Sequence, residues 1–211
     1  IGVLVRSATK VRKDVVDACP NLKFIGRGGV GMDNIDVAYA REKGVNVFNT
    51  PASSSQSVAE LVMGQLFSAA RFTYDANALM PSTGASDFKV LKKKYGKGIE
   101  LRGKTLGIIG FGRIGRACAA YALGCGMKVI ACDNDEITEP VVLQIPGAGD
   151  VSVKINQANL EELIRQSDFI SIHVPKQADG SAVIAAKELE MMKDGVILAN
   201  AARGGVINES D

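Results

Sequence analysis

The chain has 211 residues, is 46% hydrophobic and carries a formal net charge of +2, with one histidine, four cysteines and no tryptophan. A chain of this length and apolarity buries a sizeable core. Its near-balanced charge, without a basic stripe interleaved with aromatics, excludes a nucleic-acid surface, and the lack of an apolar run of about 18 residues excludes a membrane-spanning helix. Cys19, Cys118, Cys125 and Cys132 show neither paired nor Cys-x-x-Cys spacing, and with a single histidine no metal site can be assembled from the usual spacings. Reduced thiols in a cytoplasmic protein are expected.

The chain opens at Ile1 inside an apolar strand over 2–6, without a methionine and with no visible signal peptide. A short helix over 13–18 stops at Pro20, and a second strand spans 22–26. A glycine-rich loop, Gly26-Arg-Gly-Gly-Val-Gly31, leads into a helix over 33–43 that Gly44 ends, followed by a strand over 45–48. Ser57-Val-Ala-Glu60 reads as a capping box, opening a helix to Arg71 whose apolar face is Val58, Leu61, Val62, Leu66 and Ala69. Residues 1–71 form a first block.

Residues 72–98 are the least regular, with Pro81-Ser-Thr-Gly84 and a solvated basic run Lys92-Lys-Lys94; a linker of helix and loop is expected there. Residues 99–211 form a second block. Strands are expected over 106–109, 128–132, 151–155, 169–174 and 196–201, with Asn159-Leu-Glu-Glu162 capping one intervening helix and another over 185–193. Strands alternating with helices predict an α/β protein of doubly wound parallel sheets. The chain stops at Asn208-Glu-Ser-Asp211, where Ser210 reads as the cap of a helix that does not follow, so an internal fragment lacking material on both sides is expected.

The most specific segment is Lys104-Thr-Leu-Gly-Ile-Ile-Gly110-Phe-Gly112-Arg-Ile-Gly115, a buried strand running through Gly-x-Gly-x-x-Gly into a helix whose face is Ile114, Ala117, Cys118, Tyr121 and Ala122. The next apolar run ends in Asp133, 18 residues past the last glycine (133 − 115), close to the place of a ribose-binding acid. Each part has a physical role. Gly110 allows the tight turn, Gly112 lets backbone approach a pyrophosphate, and Gly115 lets helix and strand pack closely. The helix N-terminus supplies free N–H groups and partial positive charge. Asp133 accepting both ribose hydroxyls would repel a 2′-phosphate, so NAD is favoured over NADP.

Arg6-Ser-Ala-Thr-Lys10, Gly26 to Asp36, Asn49-Thr-Pro51, Ser57-Val-Ala-Glu-Leu61, Gly110 to Gly115, His173-Val-Pro175 and Ala202-Arg-Gly-Gly205 occur in one order. That series resembles the D-isomer-specific 2-hydroxyacid dehydrogenases, and within them most resembles members acting on 3-phospho-D-glycerate. The resemblance covers the chain except 72–98 and part of 136–158. It implies a Rossmann-type NAD-binding domain over 99–211 and a flavodoxin-like substrate domain over 1–71, both truncated. It also implies a homodimer formed through the nucleotide-binding domain, and oxidation of 3-phospho-D-glycerate to 3-phosphohydroxypyruvate in serine synthesis. Another 2-hydroxy acid, such as glyoxylate or hydroxypyruvate, and an NAD-sensing corepressor-like module remain as alternatives.

Arg203 matches the family's catalytic arginine, which grips a carboxylate and the developing carbonyl with a planar, permanently charged fork. Arg6, Ser7, Arg27, Gly28 and Gly29 match substrate-binding positions, the two glycines through backbone N–H groups; Lys10 stands close to even between substrate contact and surface. Val30, Arg113, Ile114, Val174, Pro175, Ala201 and Ala202 join Gly110, Gly112, Gly115 and Asp133 at positions that line the cofactor. His173, the only histidine, sits in an apolar strand and is read as structural, close to the cofactor wall. The family's catalytic histidine and its glutamate partner are expected beyond Asp211, so these 211 residues alone are expected to be inactive.

Overall fold

The computed structural model describes all 211 residues, which divide into two compact units, Ile1–Ser55 and Gln56–Asp211. In the first unit, β1 (Gly2–Val5), α1 (Lys13–Ala18), β2 (Phe24–Arg27), α2 (Val37–Glu42) and β3 (Asn46–Asn49) alternate in sequence. The strands form a parallel sheet in the order β1-β2-β3, with Val5 beside Arg27 and Arg27 beside Asn49. Because side chains alternate across a strand, Val5, Ile25 and Val47 point to one face. There they share a core with Val16 of α1 and Ala40 of α2. The other face carries Leu4, Phe24 and Phe48, all exposed, with Leu4 at 75%. Both helices thus cover one face of this parallel sheet.

The second unit opens with two helices, α3 (Ser55–Arg71) and α4 (Thr73–Tyr95), separated by Phe72 in the left-handed conformation at φ 55°. The expected division near residue 71 falls instead at 55/56. The reason lies in packing: Ala59, Val62, Met63, Leu66 and Ala70 of α3 are buried in the core of the second unit. Ser57 lies inside α3 rather than at its start, and Glu60 accepts a hydrogen bond from the Tyr121 hydroxyl at 2.9 Å. The irregular 72–98 stretch is mostly one long helix. Pro81 is accommodated in it, with Ser82 and Thr83 hydroxyls donating to the Leu79 carbonyl and a break at Asp87 (φ −113°, ψ 18°). Flanking Ala, Leu, Met and Lys outweigh the turn-like Pro-Ser-Thr-Gly. Lys92, Lys93 and Lys94 are exposed, and Lys94 pairs with Asp75.

There follow β4 (Thr105–Ile109), α5 (Arg113–Gly124), β5 (Lys128–Cys132), β6 (Val141–Ile145), β7 (Gly149–Val153), β8 (Asn156–Gln157), α6 (Leu160–Gln166), β9 (Phe169–Ile172), α7 (Ala186–Glu190) and β10 (Ile197–Asn200). A five-stranded parallel sheet runs β10-β9-β4-β5-β8. It is covered on both faces. Leu106, Ile108, Val129, Ala131 and Phe169 share a core with α3 and α5, while Ile109, Ile130, Ile170 and Ile172 pack with Leu163 and Ile164 of α6. A sheet buried on both sides needs nearly continuous apolar strands, which is why β4, β5 and β9 are apolar apart from Thr105, Lys128 and the buried Ser171. The Asn159 cap forms as expected, its Oδ1 accepting the Glu162 N–H at 2.9 Å.

The strand expected over 151–155 does not join this sheet. Its residues form the outer strand of an antiparallel ribbon, β6–β7, closed by Pro146-Gly147-Ala148 with Gly147 and Gly149 at φ 81° and 94°. Those left-handed glycines reverse the chain, and the parallel connection is made by the two-residue β8 instead. No helix is long and apolar enough to cross a membrane.

Candidate nucleotide and substrate sites

The Gly-x-Gly-x-x-Gly turn leaves β4 between β5 and β9, where strand order reverses and ligands of open α/β sheets collect. Gly110 sits at φ 90°, and a Cβ on it would lie 2.8 Å from the His173 carbonyl oxygen and from Val174 Cγ1. A Cβ on Gly115 would lie 2.3 Å from the Gly110 carbonyl oxygen, so α5 approaches the turn only because this residue has no side chain. Nothing stands within 4 Å of the corresponding position on Gly112, which faces open space as the N-cap of α5. Arg113 and Ile114 follow in the first turn of α5, where N–H groups have no intrahelical partner.

Asp133 follows the last residue of β5. Its Oδ2 accepts the Phe111 N–H at 2.5 Å and its Oδ1 accepts the Asp135 N–H at 3.1 Å. The acid and the glycine turn are thereby locked to each other. Gln157 of β8 supports this from behind: its amide donates to the carbonyls of Asp133 and Asp135, and its oxygen accepts from Ile137 N–H. Gln157 and the Phe111 amide were not singled out from the sequence. Nothing local marks them, because both contacts join residues more than 19 positions apart. The glycine turn, open Gly112 and tethered Asp133 fit a dinucleotide pyrophosphate and ribose.

His173 lies just past β9, partly buried, with Nε2 2.8 Å from the Ser171 hydroxyl. Burial lowers its pKa to about 4, so it is neutral near pH 7. Val174 is partly buried and Pro175 exposed beyond it. The neighbouring strand β10 ends at Asn200, level with Ile172, so Ala201, Ala202 and Arg203 emerge at the same sheet edge. The Asn200 side chain brackets this loop, accepting the Ala202 N–H and donating to the Arg203 carbonyl, and Arg203 Nη1 donates to the Ala202 carbonyl at 2.8 Å. Burial pushes the Cys118 thiol up to about 12 and raises those of Cys125 and Cys132, which leaves them packing groups rather than nucleophiles. No cluster of His, Cys, Asp or Glu is arranged to hold a metal.

In the first unit, Arg6 and Ser7 follow β1 and are exposed, while Arg27 ends β2 and Gly28, Gly29 and Val30 follow it. These residues share the carboxyl edge of their own sheet. The Arg27 guanidinium lies along the loop, donating to the Gly28 carbonyl at 3.1 Å, and its buried Nε has no partner. The expected donation by the Gly28 and Gly29 amides is not available here. Gly28 N–H donates to the Val5 carbonyl at 2.9 Å and Gly29 N–H to the Thr50 hydroxyl at 2.8 Å, because the loop is tied down to β1 and to the end of β3. Asn49 also donates to the Val30 carbonyl.

A sheet wound on both faces, a glycine turn at its switch point and an acid fastened to that turn define an NAD-binding protein of the Rossmann class. The profile of the D-isomer specific 2-hydroxyacid dehydrogenase NAD binding domain matches residues 63–211. The chain belongs to that family. It is 44% identical over 207 residues to a hydroxypyruvate reductase of Thermotoga maritima, covering 98% of this chain and 62% of that protein. It is 41% identical over 210 residues to a D-3-phosphoglycerate dehydrogenase of Methanocaldococcus jannaschii, covering 98% of this chain and 37% of that one. A cofactor(NAD+)-bound 3-phosphoglycerate dehydrogenase of Entamoeba histolytica superposes with a TM-score of 0.76 at 30% identity, over 99% of this chain and 58% of that one. The chain therefore spans less than two thirds of the length of each of these relatives.

Proposed function

We propose that the protein is an NAD-dependent dehydrogenase that oxidises 3-phospho-D-glycerate to 3-phosphohydroxypyruvate, feeding serine synthesis, and that it acts as a homodimer in the cytoplasm, a setting in keeping with its four free thiols. The observation that carries the substrate reading is the pair Arg6 and Arg27, two cations at adjacent strand ends of one sheet edge. A substrate bearing both a phosphate and a carboxylate calls for converging cations.

Bound NAD supplies the hydride acceptor. The glycine turn and the first amides of α5 would hold the pyrophosphate, Asp133 would hold the ribose, and Val174, Pro175, Ala201 and Ala202 would line the cofactor. Arg203 grips the substrate carboxylate and the developing carbonyl after turning away from the Ala202 carbonyl. His173 does not serve as the proton acceptor, since its ring is partly buried and its Nε2 is engaged with Ser171. It holds the wall behind Gly110 instead.

A second reading, reduction of hydroxypyruvate, is supported by the 44% identity to a protein of that name. The two separate on Arg27→Ala in the active enzyme. With 3-phosphoglycerate as substrate, kcat/KM should fall by about a hundredfold or more, as expected when a charged hydrogen bond to a phosphate is lost, while turnover of hydroxypyruvate changes little. Unaltered turnover of 3-phosphoglycerate sinks the phosphoglycerate reading.

A further inference from the structure

The loop after β5 carries the acid assigned to the ribose, yet no strand runs beside it. β8 pairs Asn156 with Ile130 and Gln157 with Ala131, and Ala158 N–H then closes the ladder on the Ala131 carbonyl. Past that point the side chain of Gln157 takes over. Its Nε2 donates to the Asp133 carbonyl at 3.2 Å and to the Asp135 carbonyl at 2.9 Å. Its Oε1 accepts the Ile137 N–H at 2.9 Å. A primary amide offers two N–H donors and a carbonyl acceptor, so one side chain presents to residues 133–137 the groups that a longer β8 would have presented.

The far end of the loop is fastened by α5. Arg116 Nη1 donates to the Glu139 carbonyl at 2.8 Å, and its guanidinium carbon lies 5.1 Å from the centre of the Phe111 ring. Phe111 is also the residue whose N–H the Asp133 carboxylate accepts. Asp133 is therefore gripped twice, its carboxylate by the glycine turn and its backbone by Gln157. The first grip alone lets the carboxylate follow any movement of the loop. Holding two ribose hydroxyls requires the acid to stay within about 0.5 Å of its place, and repelling a 2′-phosphate requires the charge to stay there too.

We propose that Gln157 is a positioning residue for the cofactor, which acts through Asp133 to set both the affinity for NADH and the preference for NADH over NADPH. The inference rests on the reading of Asp133 as the ribose acid.

Fluorescence titration of the active enzyme with NADH and with NADPH tests it by binding alone. Gln157→Met keeps the length of the side chain and loses its hydrogen bonds to the loop. Gln157→Glu keeps the shape but sets a carboxylate against the carbonyls of Asp133 and Asp135. Each should raise the NADH dissociation constant by about tenfold while moving that for NADPH by less than about threefold, since a loosened Asp133 also repels the 2′-phosphate less. In an Asp133→Ala background, Gln157→Met should change the NADH constant by less than about twofold, because the group through which it acts is gone. Circular dichroism should be unchanged, since Gln157 is exposed. If Asp133→Ala weakens NADH binding and neither Gln157 variant does, the positioning role is overturned and the ribose reading stands. Equal weakening of NADH and NADPH that persists without Asp133 also overturns it, and makes Gln157 a support of the fold only. If Asp133→Ala leaves NADH binding unaltered, the ribose reading falls and this inference falls with it.

Discussion

A neutral histidine held between a buried serine and a glycine turn has a thermodynamic signature. The folded pKa of His173 is about 4, below the ordinary 6.5, so between these values the unfolded chain binds the extra proton and the folded one does not. Stability then rises with pH through this window and is lost as pH falls from about 6.5 towards 4, by up to about 3 kcal/mol. Urea unfolding of the unmodified chain and of His173→Gln at pH 7.5 and pH 4.5 checks this. The difference between the two proteins should shrink at the lower pH, because the glutamine has no proton to take up; a difference independent of pH would remove the histidine from the account. The same residue shows what was readable beforehand. Its apolar strand marked it as structural, whereas its partner Ser171 went unnoticed, since a serine two residues away on a strand carries no pattern of its own.

At the scale of elements, α3 is the informative case. Leu66 is fully buried in the core it shares with Leu106 and Ile108, while Leu61 is 57% exposed. Leu66→Ala should therefore cost about 2–5 kcal/mol, and Leu61→Ala about 0.5 kcal/mol or less, in chemical denaturation of the chain. Equal costs would mean that the helix does not present this face to the core. The amphipathic face of α3 was legible only in part, since Val62 and Leu66 are buried as the spacing predicts but Leu61 and Ala69 are exposed, and Ala59, Met63 and Ala70 complete the buried face. Which sheet it packs on was not legible, because periodicity says that a face is buried and nothing about its partner. The β4–α5 turn was legible to the residue, since three glycines, a strand and an acid must coincide to form it. The ribbon and α4 depart from their local sequence patterns for opposite reasons. Alternating Val and polar residues after Gly149 do form a strand, but the two left-handed glycines decide whom it pairs with. Pro81 and Gly84 advertise a turn that the surrounding helix formers override. The amides of Gly28 and Gly29 were offered to a substrate because their acceptors are distant in sequence, Thr50 lying 21 positions from Gly29.

For the molecule as a whole, the two units differ in how their sheets are covered. The five-stranded sheet of the second unit has apolar contacts on both faces, and the three-stranded sheet of the first exposes Leu4, Phe24 and Phe48 on one. Leu4 is 75% exposed, so Leu4→Lys should lower binding of the dye ANS and raise solubility while shifting stability by about 0.5 kcal/mol or less. A loss of stability several times larger would mean that this side chain is packed. Nothing in the sequence alone separates Leu4 from Val5, since both lie in one apolar run; only the strand's alternation, with helices on one side, does so.

The parallel order β10-β9-β4-β5-β8 also has a temporal meaning. β4, at the centre, pairs with β5 almost as soon as both exist, but its other neighbour, β9, begins 60 residues after Ile109 (169 − 109). At a synthesis rate of about 5–20 residues per second, that flank stays open for roughly 3–12 s. A nascent chain leaving the ribosome thus presents Leu106 and Ile108 beside an unpaired backbone for seconds. In that interval, chaperones and neighbouring nascent chains compete for the strand on which the finished nucleotide site depends.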